Sequence, residues 1–222
     1  KSMPWWMTHY LNWNVNRIFK DKNKTFPKKT KIEDAQDTSL HIQRVSEMLQ
    51  SAKQPVLLIG SQALFNPTQH ENLANAVQKL NISTFVSGLA RGLLSKPDLP
   101  IFRHERTKAL KEADLVILAG VPCDFRLDYG RVINHKAKIL SINLSRNDLY
   151  LNRRPTKAIL TSPGTFLIDW SNSGKNNSDS KWVNWQEQLA IRNDKRQTDI
   201  IDQSNIATDF VNPMKLCLSL NE

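Results

Sequence analysis

Small polar and cationic residues follow several short apolar runs, and these are the residue types that hold phosphate groups. Glycine lets backbone amides approach a phosphate closely, and arginine can fork around one with a permanent charge. The apolar runs are Val56–Ile59, Ile82–Val86, Asp114–Ala119 and Lys138–Asn143. The candidate residues for a nucleotide pocket at their ends are Gly60, Ser61, Gln62, Gly88, Arg91, Gly120, Asp124, Arg126 and Asn143.

Turns that close without any ligand are the alternative interpretation of the same residues. None of the seven glycines has the G-x-G-x-x-G spacing of the dinucleotide fingerprint. Arg91 or Arg126 could equally pair with a local acid, such as Asp124 or Asp128. Because arginines are interleaved with these two acids, we expect a charge-balanced loop there and no metal site.

No self-contained catalytic centre is expected in this sequence. Ser61 lacks the G-x-S-x-G pattern of a nucleophile elbow, and Cys123 has no partnered base nearby in the sequence. The five histidines are scattered without the spacing of metal ligands. We therefore predict neither catalytic nor metal-binding residues.

The charge of the chain favours anionic partners, but its distribution weakens that inference. The 222 residues carry 31 Lys and Arg against 21 Asp and Glu, for a net charge of +10. Seven of the cations lie between Arg17 and Lys31, in a stretch with little apolar content that is typical of a solvated linker. A nucleic-acid-binding tail is the alternative, but no such motif accompanies it, so we expect no nucleic-acid partner.

Along the chain, the apolar runs alternate with segments of helical periodicity. Helices are predicted from Thr38 to Ala52, over Gln69–Leu80 and over Thr107–Glu112, with a further strand at Ala158–Leu160. Runs that are apolar on both faces suit parallel strands covered by helices on both sides. The predicted fold class is α/β: a Rossmann-like three-layer α/β/α arrangement with a mostly parallel five- or six-stranded sheet, plus helical N- and C-terminal linkers.

The predicted organisation has three parts. Residues 1–37 form a linker with a short amphipathic helix, residues 38–172 form the central Rossmann-like domain, and residues 173–222 form a linker helix and the first turn of the next domain. In the first part, Trp6, Tyr10, Trp13 and Arg17 share one helical face, which could dock on a neighbouring domain or lie on a membrane surface.

Several segments together resemble the middle domain of thiamine-diphosphate-dependent enzymes. The segments are Pro55–Leu64, Gly88–Leu94, Ala109–Gly120 and Cys123–Val132. Trp182, Trp185, Leu189 and the pair Asn212-Pro213 fit the same family, so the resemblance extends over nearly the whole chain. It is identified as a member of this family by the order of its motifs rather than by any one of them.

The resemblance implies a three-domain subunit of which this chain is the centre. The family binds thiamine diphosphate and Mg²⁺ on its other two domains, through a glutamate of the first and a Gly-Asp-Gly motif of the third. No Gly-Asp dipeptide occurs here. Some relatives hold ADP or FAD in the central domain, although this chain has fewer glycines after its first strand than FAD-binding relatives.

The implied activity of the intact protein is a lyase or carboligase reaction on 2-hydroxyacyl-CoA or 2-oxo acids. This fragment alone is expected to be inactive and to scaffold the catalytic domains. The implied partners are the N- and C-terminal domains of the same enzyme, an acyl-CoA-type substrate, and other copies in a homodimer or homotetramer. A stand-alone module for ADP, FAD or CoA and the middle domain of an acetohydroxyacid synthase are the alternatives.

The fragment itself is expected to be soluble. By resemblance, the intact protein would belong to the endoplasmic reticulum membrane through a segment outside this chain, with the mitochondrion or cytoplasm as alternatives.

Overall fold

The computed structural model describes residues 4–19, 38–95, 99–174 and 181–220. The chain divides into two compact units, Lys1–Glu33 and Asp34–Glu222, which are described separately. Most of the predicted basic linker between Arg17 and Lys31 lies outside the described residues, as do residues 175–180.

In the described part of the first unit, a helix, α1, spans Trp5–Phe19, where the amphipathic helix was predicted. Trp6, Tyr10 and Trp13 are each more than half exposed, and the Arg17 guanidinium carbon lies 5.2 Å from the centre of the Trp13 ring. None of the described helices has both the length and the apolar character needed to cross a bilayer.

The second unit is built on a parallel sheet of six strands. The strands are β1 Pro55–Ile59, β2 Thr84–Val86, β3 Ile101–Phe102, β4 Leu115–Ala119, β5 Lys138–Asn143 and β6 Lys157–Leu160. Their order is β3-β2-β1-β4-β5-β6, and every pairing between neighbours is parallel. This is the doubly wound order, in which the direction of winding reverses between β1 and β4.

The predicted fold class is confirmed, and β3 is the strand that the sequence did not show. It has only two residues, which pair with Thr84 and Phe85 of β2. Two residues between Pro100 and Arg103 are too few to produce a periodic hydrophobic signal.

Seven α-helices surround this sheet or extend from it in the described part of the second unit. They are α2 Thr38–Ser51, α3 His70–Leu80, α4 Arg106–Glu112, α5 Arg146–Leu149, α6 Pro163–Asn172, α7 Val183–Ser204 and α8 Pro213–Ser219. Four-residue α5 was not predicted, and α7 lies within residues 173–222, where a linker helix was predicted. The ten-residue helix α6 begins at Pro163, because proline suits the first helical turn and most of the following residues are apolar.

The core lies on both sides of the sheet and includes part of the predicted C-terminal linker. Every residue of β1 and β4 is buried, as central strands of a doubly wound sheet require. Trp182 and Trp185 of the α7 region belong to the same core, and their indole N–H groups donate to the carbonyls of Ala52 and Pro55. The predicted boundary at residue 172 stays a prediction, but α7 packs against the start of β1.

Candidate anion-binding site at the carboxyl edge of the sheet

The turns after β1 and β4 meet where the winding of the sheet reverses. Gly60 directly follows β1 and Gly120 directly follows β4, and the Gly60 amide donates to the carbonyl of Ala119. A Cβ atom at Gly60 would lie 2.3 Å from the Gly120 carbonyl oxygen. Gly120 itself has a φ of +74°, a conformation that favours glycine. Both predicted glycines are thus required by close backbone packing.

On the side that faces β5 and β6, the turn after β1 is closed against its neighbours. The Gln62 side-chain oxygen accepts a hydrogen bond of 3.1 Å from the Leu144 amide, 82 residues away in the chain. A Cβ atom at Gly164, in the first turn of α6, would lie 2.2 Å from the Ala63 carbonyl oxygen. Gln62 therefore holds two loops together here.

Ser61 joins the turns after β1 and β2. Its hydroxyl accepts a hydrogen bond of 3.1 Å from the Leu89 amide. Gly88 has a φ of +59°, and a Cβ atom there would lie 2.2 Å from the Ser61 hydroxyl oxygen. The predicted pair Ser61 and Gly88 is thus brought together, in a contact that leaves no space between the two turns.

Asn143, the last residue of β5, is fully buried and only partly hydrogen-bonded. Its side-chain oxygen accepts from the Ser145 amide at 2.9 Å, but its Nδ2 has no hydrogen-bond partner within the described part of the chain. An unpartnered buried donor is uncommon and suits an acceptor group supplied from outside the chain.

Asp124 and Arg126 form an ion pair within the turn that follows β4. Arg126 Nη2 lies 2.7 Å from Asp124 Oδ2, and the Arg126 backbone amide also donates to the same carboxylate. Partial burial pushes the pKa of Asp124 upward, but the hydrogen bonds from Arg126 outweigh it, and the pKa is lowered. This is the local pairing that the sequence left open as an alternative. Asp128, the other acid considered, pairs loosely with Arg131 at 3.9 Å.

Arg106 is a member of the site that sequence reasoning missed. It is the first residue of α4, and its Nη2 donates a hydrogen bond of 3.0 Å to the Arg126 carbonyl oxygen. Burial lowers the pKa of Arg106, and the positive charges of Arg91 and Arg126 lower it further. Because β3 was not predicted, nothing in the sequence pattern placed Arg106 at this edge of the sheet.

Arg106 and Arg126 are therefore neighbours on one side of the carboxyl edge, and the charge of Arg91 is near enough to lower the pKa of Arg106. Asp124 is the only carboxylate within ion-pair distance of any of them in the described part of the chain. Like charges that are partly removed from water repel one another, and a bound anion relieves that repulsion. The arrangement suits the phosphates of a nucleotide.

Cys123 lies beside this cluster but is not suited to nucleophilic chemistry. The residue is buried, and burial is the main reason that the pKa of its thiol rises to about 11. At neutral pH the sulfur therefore stays protonated, and the thiolate is the form that attacks. Among the described residues, no group of three His, Cys, Asp or Glu side chains could hold a metal ion.

Comparisons with known proteins agree with this fold. The family model described as "Thiamine pyrophosphate enzyme, central domain" matches residues 42–169. The 2-hydroxyacyl-CoA lyase 2 of Danio rerio is 38% identical over 79% of this chain, and that of Mus musculus is 45% identical over 57%. A probable acetolactate synthase of Mycobacterium bovis is 30% identical over 45% of the chain.

The chain spans only part of the length of these relatives. It covers 28% of the Danio rerio protein, 21% of the Mus musculus protein and 18% of the Mycobacterium bovis protein. Among solved structures, a thiamine diphosphate-dependent 4-hydroxybenzoylformate decarboxylase of Rhodococcus jostii aligns over 70% of the chain with 17% identity and a TM-score of 0.49.

Proposed function

Because the chain belongs to the thiamine pyrophosphate enzymes, as their central domain, we propose that it is the non-catalytic part of a larger enzyme. In this role it spaces and orients the catalytic domains, which are its N- and C-terminal neighbours in the same enzyme. The observation that carries the proposal is that the family model covers 42–169, the part that forms the six-stranded sheet. On its own, the chain is expected to have no activity.

For the intact protein we propose a carbon–carbon lyase or transferase activity on 2-hydroxyacyl-CoA. The support is that relatives named 2-hydroxyacyl-CoA lyase 2 are 34–45% identical to this chain. An acetohydroxyacid synthase acting on 2-oxo acids is the second candidate, favoured by the 30% identity to acetolactate synthases. Turnover of a 2-hydroxyacyl-CoA against turnover of pyruvate by the full-length enzyme discriminates the two activities.

We place thiamine diphosphate and Mg²⁺ on domains outside these 222 residues. The chain has no Gly-Asp dipeptide, and its described residues include no metal-binding group of three His, Cys, Asp or Glu side chains. The residues here therefore do not fit the metal and its diphosphate. When bound elsewhere in the enzyme, the cofactor supplies the electron sink for a carbanion beside a carbonyl.

The first experiment measures the melting temperature of this chain with and without thiamine diphosphate and Mg²⁺. A ligand that binds only the folded state raises the melting temperature. We expect no change, because the residues that would hold the cofactor are absent. A clear upward shift that depends on both additions would contradict the placement of the cofactor site outside the chain.

Within the central domain, we propose that the arginine cluster holds the phosphates of an ADP moiety. ADP itself, FAD or CoA could supply that moiety. The support is the hydrogen bond between Arg106 and Arg126, the effect of the Arg91 charge on the Arg106 pKa, and the single ion pair of this group, between Arg126 and Asp124, in the described part of the chain. The group follows strands near the winding reversal, where doubly wound sheets bind their ligands. The buried donor of Asn143 offers a separate polar contact at the end of β5.

The second experiment is a calorimetric titration of the chain with ADP, FAD, CoA and NAD. Replacing Arg106 by Met should weaken ADP binding by roughly 10- to 100-fold, because a charge-assisted hydrogen bond contributes about 1.5–3 kcal/mol. Arg131→Met is the matched control, since Arg131 lies in the same region, is largely exposed and, within the described residues, forms its ion pair with Asp128. Equal affinities of the two variants would remove the proposed pocket.

The remaining assignments are proposals that follow from the family. The intact enzyme is expected to be a homodimer or homotetramer, which light scattering of the full-length protein would measure. We also propose the endoplasmic reticulum membrane as its location, with the mitochondrion or cytoplasm as alternatives that cell fractionation distinguishes.

A further inference from the structure

The second half of α7 holds the connection between β3 and α4 through one asparagine side chain. Asn193 Oδ1 accepts two backbone hydrogen bonds, one of 2.9 Å from the Arg103 amide and one of 3.1 Å from the His104 amide. One turn further along α7, Gln197 Oε1 lies 3.0 Å from His104 Nε2. Both contacts join residues about 90 positions apart in the chain.

The far end of α4 is held by the same helix. Arg192 Nη1 lies 2.7 Å from Glu112 Oε2, and both side chains are mostly shielded from water. Because Glu112 ends α4 while His104 precedes it, side chains of α7 contact both ends of α4.

The start of α4 has little local support of its own. Glu105, which stands immediately before Arg106, has a φ of +59° and makes no capping hydrogen bond with its side chain. A non-glycine residue in this conformation is disfavoured unless its surroundings hold it there. The two hydrogen bonds that Asn193 accepts come from the residues directly before Glu105, so they supply the missing restraint.

Met214 and Cys217 of α8 line an open groove of about 450 Å³ together with Arg103 and His104. The first half of α7, by contrast, is anchored in the core by the buried residues Trp185 and Leu189. Asn193 therefore extends from a firmly anchored helix to an otherwise weakly held turn.

We propose that Asn193 is a positioning residue that holds Arg106 in the arginine cluster, an inference that rests on the proposed role of this cluster in binding ADP phosphates. Asn193 touches neither the ligand nor Arg106 itself. It fixes the backbone from which the Arg106 side chain extends to the Arg126 carbonyl. Releasing that backbone lowers the fraction of molecules in which all three guanidinium groups face one anion.

The test compares ADP affinity and melting temperature for wild type, Asn193→Ala, Asn193→Asp and Gln188→Ala. Asn193→Ala should weaken ADP binding roughly five- to tenfold, within the range of ordinary coupling between sites. Asn193→Asp should keep affinity within about twofold, because a carboxylate accepts the same two amide hydrogen bonds. Gln188→Ala, an amide on the exposed face of α7, should leave affinity unchanged.

A second readout separates positioning from general loss of structure. The Arg106 side-chain Nε resonance should broaden or shift in Asn193→Ala without ligand, at a temperature where the melting curve shows the variant fully folded. If Asn193→Ala does not fold, Gln197→Ala replaces it, with a smaller loss of affinity expected.

Two negative results have different meanings. If the wild type binds ADP and Asn193→Ala binds it with the same affinity, only the positioning role is overturned. Wild type that does not bind ADP overturns the proposed pocket, and the positioning role with it.

Discussion

The two sides of the turn after β1 are built in opposite ways. Toward β5 and β6, Gly120 and Gly164 allow such close packing that an added Cβ atom would collide with residues of the turn after β1. Toward β2 and α4, Arg106 is hydrogen-bonded to Arg126, the charge of Arg91 acts on Arg106, and Asp124 is the carboxylate paired with Arg126. Within the described part of the chain the first side is closed by backbone packing apart from the unpartnered Nδ2 of Asn143, whereas the second side carries positive charge that an anion would neutralise.

The two sides also depend on different forces, close packing on the first and electrostatic interactions on the second. Close packing of neutral backbone is insensitive to ionic strength, and it tolerates almost no increase in volume. The arginine side depends on charge, so its energetics change with salt, pH and bound anions. Substitutions on the closed side should therefore lower the free energy of unfolding, and substitutions on the arginine side should lower the affinity for ADP.

The largest expected effect is on the closed side. Gly60→Ala should lower the free energy of unfolding by about 3 kcal/mol, because its Cβ atom would collide with the Gly120 carbonyl and with Val121. Gly92→Ala is the control, since a Cβ atom there meets no atom within 4 Å. Urea denaturation measures both variants. Equal stability of the two would show that the closed side is looser than described.

Intermediate effects are expected from two substitutions, one on each side, that separate stability from ADP affinity. Gln62→Ala should lower the free energy of unfolding by about 1–2 kcal/mol, because the Leu144 amide loses its acceptor, and should leave ADP affinity unchanged. Arg91→Met should weaken ADP binding and leave the free energy of unfolding unchanged, since the exposed Arg91 side chain has no ion-pair partner among the described residues. Denaturation and calorimetry on both variants test this crossing. Loss of ADP affinity in Gln62→Ala would place the ligand on the other side.

The closed side illustrates what a sequence pattern can and cannot predict. Apolar runs that end in glycine predicted β1 and β4 and placed Gly60 and Gly120 at one edge, because parallel strands end together. The role of Gln62 was not predictable, since its partner Leu144 is 82 residues away and side-chain pairing across loops leaves no periodic signal.

The arginine side was only partly predictable for a related reason. Asp124 and Arg126 are two residues apart, so their pairing could be considered from the sequence alone. Arg106 depends on β3, a strand of two residues, and on Asn193, which is about 90 residues away from its partners. Short strands and distant polar contacts are set by tertiary packing, which propensity and periodicity do not encode.

The smallest expected effect is a pH dependence of stability from Asp124. Its folded-state pKa is lowered by Arg126, so its contribution is fully present above the unfolded pKa of about 3.9 and is lost as the pH falls below it. Between about pH 5 and pH 3, wild type should lose up to about 1 kcal/mol more than Asp124→Asn, which keeps an acceptor for the Arg126 amide. Parallel pH profiles in chemical denaturation would show that the pair contributes nothing to stability.

A crystal structure of this chain grown with ADP tests the proposed phosphate site most directly. We expect ADP phosphates within hydrogen-bonding distance of Arg91, Arg106 and Arg126, with the hydrogen bond between Gln62 and Leu144 intact. ADP bound on the Gln62 side, or a carboxyl edge without ADP at a concentration that saturates other nucleotide-binding proteins, would contradict this expectation.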